Sequence, residues 1–391
     1  MAMNVQERIG EIELIFEELE FHFNYNENVK GGVPKEKQYQ FDADLKIEKF
    51  VINLLSNKAT VFKIKSPSKD ASDTVPIVED GNGMHRSQTS KYSKSKEEQE
   101  KSHLVFKNAR WAVPFIPFEF LTTRDGLFGA SFAVTKLIEL RNENFLSFHN
   151  GQFKILPTKT PEKVFSYPDV KIFINDLSEK IKQELTSADA RKAMNVMQSK
   201  VNKKYESFCD YIDDLFKEHQ ALTFFSFVFS LDRSMLSPNT NFFENARQLN
   251  KYREEFFNNC RSVQGLADLA GYFGKWESDN ISLSFRMIFA FPTNKVKDVN
   301  TLKEQIAHYW EDEITNGEGV CRYALIAAKT PKLKQKVVHL TFKDKVAITL
   351  FKERVVTYIT KSEKYYMPDK LKKFIDDDKH RLTFKGHKSR N

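Results

Sequence analysis

An α+β fold, helical in its N-terminal part and built on an antiparallel sheet in its C-terminal half, follows from three observations. Near the start, apolar residues recur at helical spacing over Val5 to Phe23 and again over Asp42 to Ser56. Beyond Ser187 the pattern changes in the order strand, helix, strand, strand, helix, strand. This is the βαββαβ order of ferredoxin-like domains, which buries an antiparallel sheet under two helices. Between the two parts, Ser66 to Ser102 is rich in Ser, Lys, Asp and Glu and nearly devoid of large apolar residues. Such a stretch cannot bury enough surface to offset its ordering entropy, so it reads as disordered. The expected division is a helical region over 1–65, a disordered linker over 66–103, an α/β remainder over 104–186 and a C-terminal domain over 187–391.

Taken in order, the first helix places Ile9, Ile12, Ile15, Phe16 and Leu19 on one stripe, and the second does the same with Leu45, Phe50, Ile52 and Leu55. After the linker, LVFKNARWAVPFIPFEFL is apolar and aromatic, and its rings read as core rather than as a base-stacking surface. Asp125-Gly126 and Gly129 mark a turn before a helix over Ala130 to Arg141. Asn150-Gly151 divides two short strand-like runs, a hairpin signal. A long helix over Ser187 to His219 opens with Ser187 as N-cap. A strand over Ala221 to Asp232, a helix over Asn241 to Arg261, and strands over Leu266 to Trp276 and Ile281 to Phe291 follow. Next come a helix over Thr301 to Thr315 and strands over Gly319 to Ala328 and Lys336 to Phe342. The last helix is expected over Asp344 to Tyr365, although its β-branched run Val355-Val-Thr-Tyr-Ile-Thr360 argues the other way.

At 391 residues, 40% hydrophobic and 29% charged, the chain can build two ordinary domains. No run approaches the roughly 18 apolar residues of a membrane span. The acidic, amphipathic N-terminus lacks the pattern of a signal peptide. Cys209, Cys260 and Cys321 have no CxxC spacing, so neither a zinc site nor a disulfide framework is expected, and a cytoplasmic location is. Walker, GxGxxG, GxSxG and HExxH motifs are absent, which leaves nucleotide hydrolysis, dinucleotide chemistry and the common hydrolase mechanisms without support. The net charge of +8 is unevenly spread. Gly319 to Asn391 holds 19 Lys and Arg against 7 Asp and Glu, net +12, and the rest holds 42 against 46, net −4. This concentration reads as a polyanion-binding surface, with a solubilising tail as the alternative.

Within the basic segment lies Tyr358-Ile-Thr-Lys361. In a Tyr-x-x-Lys pair the phenol can attack a phosphodiester while a lysine one helical turn away balances charge at the phosphate. Tyr358 also follows Val355 by three and Phe351 by seven, so a core tyrosine with its hydroxyl at the rim is the competing reading. Phe229-Ser-Leu-Asp232 ends the first strand of the C-terminal half. Gly271-Tyr-Phe-Gly-Lys-Trp-Glu277 ends on an acid just before ISLSFRMIFAFPTN; LKEQIAHYW follows as a helix, and RLTFKGHKSR closes the chain. In this order the motifs resemble prophage-encoded relatives of the inovirus replication initiator, the gene-two-product type of filamentous phage. The resemblance covers about Ser187 to Asn391.

That resemblance implies a ferredoxin-like domain of replication-initiator type and a tyrosine nickase, in which Tyr358 is the nucleophile and Lys361 stabilises the phosphorane. The family commonly carries His-apolar-His on the strand that here reads Ser284-Phe285-Arg286, or Ser282-Leu283-Ser284 if shifted by two. Serine is a poor ligand for a hard divalent ion and arginine repels it, whereas an arginine fork fits phosphate. If nickase activity is retained, Mg²⁺ or Mn²⁺ would sit on Glu277, Asp232 and His339. His308-x-x-Glu311 is a further metal spacing, read more simply as a solvated pair. DNA, single-stranded or at an origin, is the expected partner, through Arg286, Lys329, Lys332, Lys334, Lys336, Arg381, Lys385, Lys388 and Arg390. A non-catalytic DNA-binding regulator is one alternative. Another is a protein-interaction module whose acidic N-terminal helices bind a partner.

Overall fold

The computed structural model describes residues 5–27, short stretches between 44 and 55, residues 131 and 135, and strand residues 146–149, 152–155 and 163–164. It then describes 179–232 and 241–386 with a few gaps. The chain forms two compact units. One comprises Met1–Ile9, Asp42–Thr123 and Ala133–Arg191; the other comprises Gly10–Phe41, Arg124–Phe132 and Lys192–Asn391. The expected linker over 66–103 and the Pro-interrupted aromatic run after it lie outside the described residues, as does nearly all of the helix expected over Ala130 to Arg141. In the first unit, β1 (Leu146–His149) and β2 (Gln152–Ile155) pair antiparallel around the Asn-Gly signal, and β3 (Lys163–Val164) adds to β2.

The second unit is α+β around a six-stranded antiparallel sheet. Its strands are β4 (Ala221–Leu231), β5 (Gly271–Ser278), β6 (Leu283–Pro292), β7 (Gly319–Ala324), β8 (Val337–Thr341) and β9 (Thr383–Lys385). They lie in the order β7-β4-β6-β5-β9, with β8 pairing the other half of the β4 edge that β7 uses. One face packs against α3 (Phe242–Asn259) and α4 (Val299–His308). Phe225, Phe227, Phe229, Trp276, Phe285 and Phe289 meet Phe256, Ile306 and Trp310 there in one aromatic core. Asn241 caps α3 with its side-chain oxygen, and Asp298 caps α4 by accepting from the Asn300 and Thr301 amides. Trp310 reaches the core from a π-type turn, Tyr309–Ile314, that continues α4.

The opposite face is also covered, although the βαββαβ pattern predicts helices on one face only. Phe224 packs against Phe351 of α5 (Lys345–Phe351) at 4.5 Å with the rings tilted, and Phe273 meets Phe208 of α2 (Ala188–Glu218) at 6.0 Å. Beside α5, α1 (Val5–Glu27) buries Ile12, Ile15, Phe16 and Leu19. From Gly10 onward α1 clusters with the C-terminal part, not with a separate region over 1–65. The sequence carries the signal for this double cover. β4 reads ALTFFSFVFSL with no polar alternation, as a strand buried on both faces must.

The β-branched run after α5 is helical. Lys352–Val356 forms a π-type turn, in which the Thr357 amide bonds the Lys352 carbonyl, and α6 (Thr357–Lys361) follows directly. Burial of Val355, Val356 and Ile359 outweighs the intrinsic preference of these residues for strands. A helix α7 (Asp369–Asp377) and the short β9 complete the unit, neither of them expected from the sequence. The second strand begins at Gly271 rather than Leu266, because residues 265–268 form a turn with Gly265 at φ 91°.

Candidate functional site

Cross-strand register decides which polar side chains meet on the α1/α6 face of the sheet. Lys275 of β5 lies opposite Arg286 of β6, and Glu277 lies opposite Ser284, two pairs further on. Since side chains alternate along a strand, Lys275, Glu277, Arg286 and Ser226 of β4 all point to the face away from the Phe-rich core. Gly274 permits the close β5–β6 approach, since a Cβ there would meet the Arg286 carbonyl oxygen at 2.1 Å.

Tyr358 of α6 closes on this group. Its hydroxyl donates to Glu277 Oε1 at 2.8 Å, and Arg286 Nε donates to the same oxygen at 2.9 Å. Arg286 Nη1 donates to Ser226 Oγ at 3.3 Å. Lys275 Nζ lies 3.6 Å from the centre of the Tyr358 ring and donates to Ser362 Oγ at 2.7 Å. The group is sealed: Tyr358 is 4% exposed and Arg286 1%. The seal comes from α1, whose His22 ring packs on the Tyr358 ring at 4.4 Å. Glu18, one turn before His22, is paired with it at 3.2 Å and accepts the Ala328 amide at 2.9 Å. On either side, Glu11 binds Lys361 at 2.6 Å and Glu17 binds Arg354 at 3.2 Å.

Electrostatics follow from this packing. Burial pushes the Glu277 carboxyl up, but the Arg286 and Lys275 charges outweigh it and hold the group below its ordinary range. Burial opposes the Arg286 charge, and Glu277 more than compensates. Burial, then the Glu277 charge, push the Tyr358 hydroxyl well above its ordinary value. Burial lowers Lys275 to about 7 against the pull of Glu277. It raises Glu18 to about 7 and holds His22 neutral, Arg286 and Lys275 adding to the effect on His22.

Several residues singled out in the sequence therefore take other places. Tyr358, Glu277 and Arg286 come together, but Lys361 turns from Tyr358 to Glu11 and the Tyr205 ring. Arg286 is buried and bound to Glu277, so it is not a surface contact for phosphate. The trio Glu277, Asp232 and His339 is not assembled. His339 lies opposite Thr223 on β4 and bonds its hydroxyl at 2.8 Å, whereas Glu277 is level with Ser230, seven residues away or about 23 Å. Among the described residues no group of three His, Cys, Asp or Glu side chains could hold a metal ion. His308 pairs with Asp312, while Glu311 accepts the Cys321 amide, so the His308-Glu311 spacing forms no site either. Lys332, Lys334, Lys336 and Arg381 are exposed, and Lys385 is half-buried, bonding Ser207 through its ammonium. Lys329, Lys388 and Arg390 lie outside the described residues.

Lys275, Ser362, Glu18 and His22 were not legible as members of this group. The available signal was a polar pair, four residues apart, continuing the apolar stripe of α1, and a lysine set between Phe273 and Trp276. Among the described residues no helix is long and apolar enough to cross a membrane. Comparison of the chain with protein-family models, with curated proteins and with solved structures finds no match.

Proposed function

We propose that the chain is a DNA-binding protein of the replication-initiator type whose tyrosine site no longer cuts strands. Arg286 carries the reading. It occupies the β6 position facing Tyr358, where a strand-cutting site of this kind requires a metal ligand, and it is bonded to Glu277, the nearest carboxylate. The residues present do not fit Mg²⁺ or Mn²⁺, because the guanidinium bound to Glu277, the carboxylate that accepts the tyrosine hydroxyl, repels a divalent cation. Tyr358 suits attack on phosphate no better. Its raised pKa disfavours the phenolate, and its ring is buried under His22 of α1. The strand order β7-β4-β6-β5, all antiparallel, supports the ferredoxin-like relationship, with β9, β8 and α1 as additions. The basic C-terminal fifth, with Lys332, Lys334, Lys336 and Arg381 exposed, supports DNA as the partner. The protein-partner reading through α1 is weakened, since Glu11, Glu17 and Glu18 are engaged within the unit.

The test is to incubate the full chain with labelled single-stranded and duplex DNA, with Mn²⁺, Mg²⁺ or EDTA. Wild type and Tyr358→Phe are expected to form no covalent adduct on a denaturing gel. Both should retard DNA in a salt-sensitive manner that EDTA leaves unchanged. An adduct present in wild type and lost in Tyr358→Phe would restore the nickase. Failure to bind DNA at low salt would favour a protein-interaction module.

A further inference from the structure

Away from the sealed tyrosine site, the corner joining β8 to α5 combines an exposed ring, an exposed branched side chain and several ammonium groups. Phe342 is 36% exposed and Val346 77%, two of the four exposed large hydrophobic side chains among the described residues. Lys343 and Lys345 flank them in the sequence and are exposed, and Lys345 Nζ lies 3.3 Å from the Phe342 ring centre. At the other end of the five-residue β8 is the exposed Lys336, and exposed His339 lies between. From Lys329 to Val346 the sequence holds six lysines and a single acid, Asp344. That acid is occupied as the cap of α5, accepting the Ala347 amide at 2.9 Å.

The backbone here is held firmly. The Phe342 amide donates to the Gln220 carbonyl at 2.8 Å, and the Asp344 amide to the Thr341 carbonyl at 3.0 Å. An aromatic ring presented on a fixed turn among cations loses little entropy on stacking and attracts a polyanion. Lysines alone would suit any polyanion. The ring selects one whose bases are unpaired, because a duplex keeps base faces stacked inside.

We propose that the β8–α5 corner is a surface for single-stranded DNA, on which Phe342 stacks a base while Lys336, Lys343 and Lys345 contact phosphates. This rests on the DNA-binding reading above and locates the contact away from Tyr358. Removing the ring leaves the core untouched, so Phe342→Ala is expected to fold as wild type.

The test is fluorescence anisotropy of the full chain with a labelled oligothymidine and with a duplex of equal length. Phe342→Ala should weaken single-strand binding at least fivefold, with Phe342→Trp restoring it and duplex binding little changed. Lys343→Gln with Lys345→Gln should make the log–log salt dependence shallower by about 1.4, the equivalent of two phosphate contacts on a single strand. If wild type binds the oligonucleotide and Phe342→Ala binds it equally well, the location is wrong and the DNA-binding reading survives. Preference of the wild type for duplex, or for the matching RNA, overturns the single-stranded DNA assignment. If wild type binds no nucleic acid at low salt, both fall.

Discussion

Arg286 and Glu277 show how a buried ion pair is sustained. An isolated buried charge is costly, and here each ion is compensated by the other and by hydroxyl partners, Ser226 for Arg286 and Tyr358 for Glu277. Glu277→Gln strands the guanidinium, so a loss of about 3–5 kcal/mol in urea unfolding is expected, with Glu277→Gln plus Arg286→Met recovering part of it. Tyr358→Phe removes only a hydroxyl donor to a charged acceptor and should cost about 1.5–3 kcal/mol. The same group predicts a pH dependence. Lys275 titrates near 7 when folded and near 10.5 in the ordinary state, so between these values the native chain binds fewer protons than the unfolded one. Its contribution to stability therefore rises with pH from about 7 towards 10.5, and Lys275→Met should abolish that rise in thermal midpoints measured across the range. Glu18 acts in the opposite sense: its raised value makes stability fall as pH climbs from 4.5 to about 7, a slope that Glu18→Gln should flatten. Tyr358 was visible in the sequence as a residue beside an apolar stripe. Glu277 and Arg286 were singled out for the same site, as a metal ligand and a phosphate contact, but their bonding to one another beneath Tyr358 was not, because a hydrogen bond between residues 81 positions apart depends on strand register and has no local signature.

At the scale of elements, α1 is the decisive addition. Its apolar stripe was plain from the spacing of Ile12, Ile15, Phe16 and Leu19, but periodicity says that a face is buried and not against what. Burial of that stripe makes α1 an integral part of the unit. Ile15→Ala is expected to lower the stability of the unit by about 2–4 kcal/mol in one cooperative transition. Hydrogen exchange of α1 amides at rates near those of β4 would agree. Exchange far faster than that of the sheet would make α1 a detachable cover instead. The Tyr358 helix teaches a related lesson. Its β-branched run leans towards strand by intrinsic preference, yet seven consecutive residues from Val355 to Lys361 are buried in helical conformation. Packing and a π-type turn override a preference worth only tenths of a kcal/mol per residue. The missed helix Asp369–Asp377 has a narrow apolar stripe, Leu371 and Phe374, too short for periodicity to register.

Across the whole molecule, charge is the property that sequence conveys without a structure. The excess of cations in the last fifth predicts DNA affinity that falls steeply with salt, measurable as retention of the full chain at 50 mM against 200 mM salt. Tertiary structure divides those cations into two sets. Arg354 and Lys361 are neutralised internally by Glu17 and Glu11, whereas Lys332, Lys334, Lys336, Lys343 and Lys345 face solvent. The sequence by itself determined the order of strands and helices from Ser187 to Tyr365, the hairpin at Asn150-Gly151, the cap at Ser187 and the charge asymmetry. These are set by residues close together in the chain or by composition. Only the tertiary structure decided that both faces of the sheet are covered, that His339 and Glu277 lie at opposite ends of β4, and that Arg286 meets Glu277 beneath Tyr358. Those facts depend on register and on the docking of α1, where contacts span tens to hundreds of residues and each partner looks unremarkable until the other is in place.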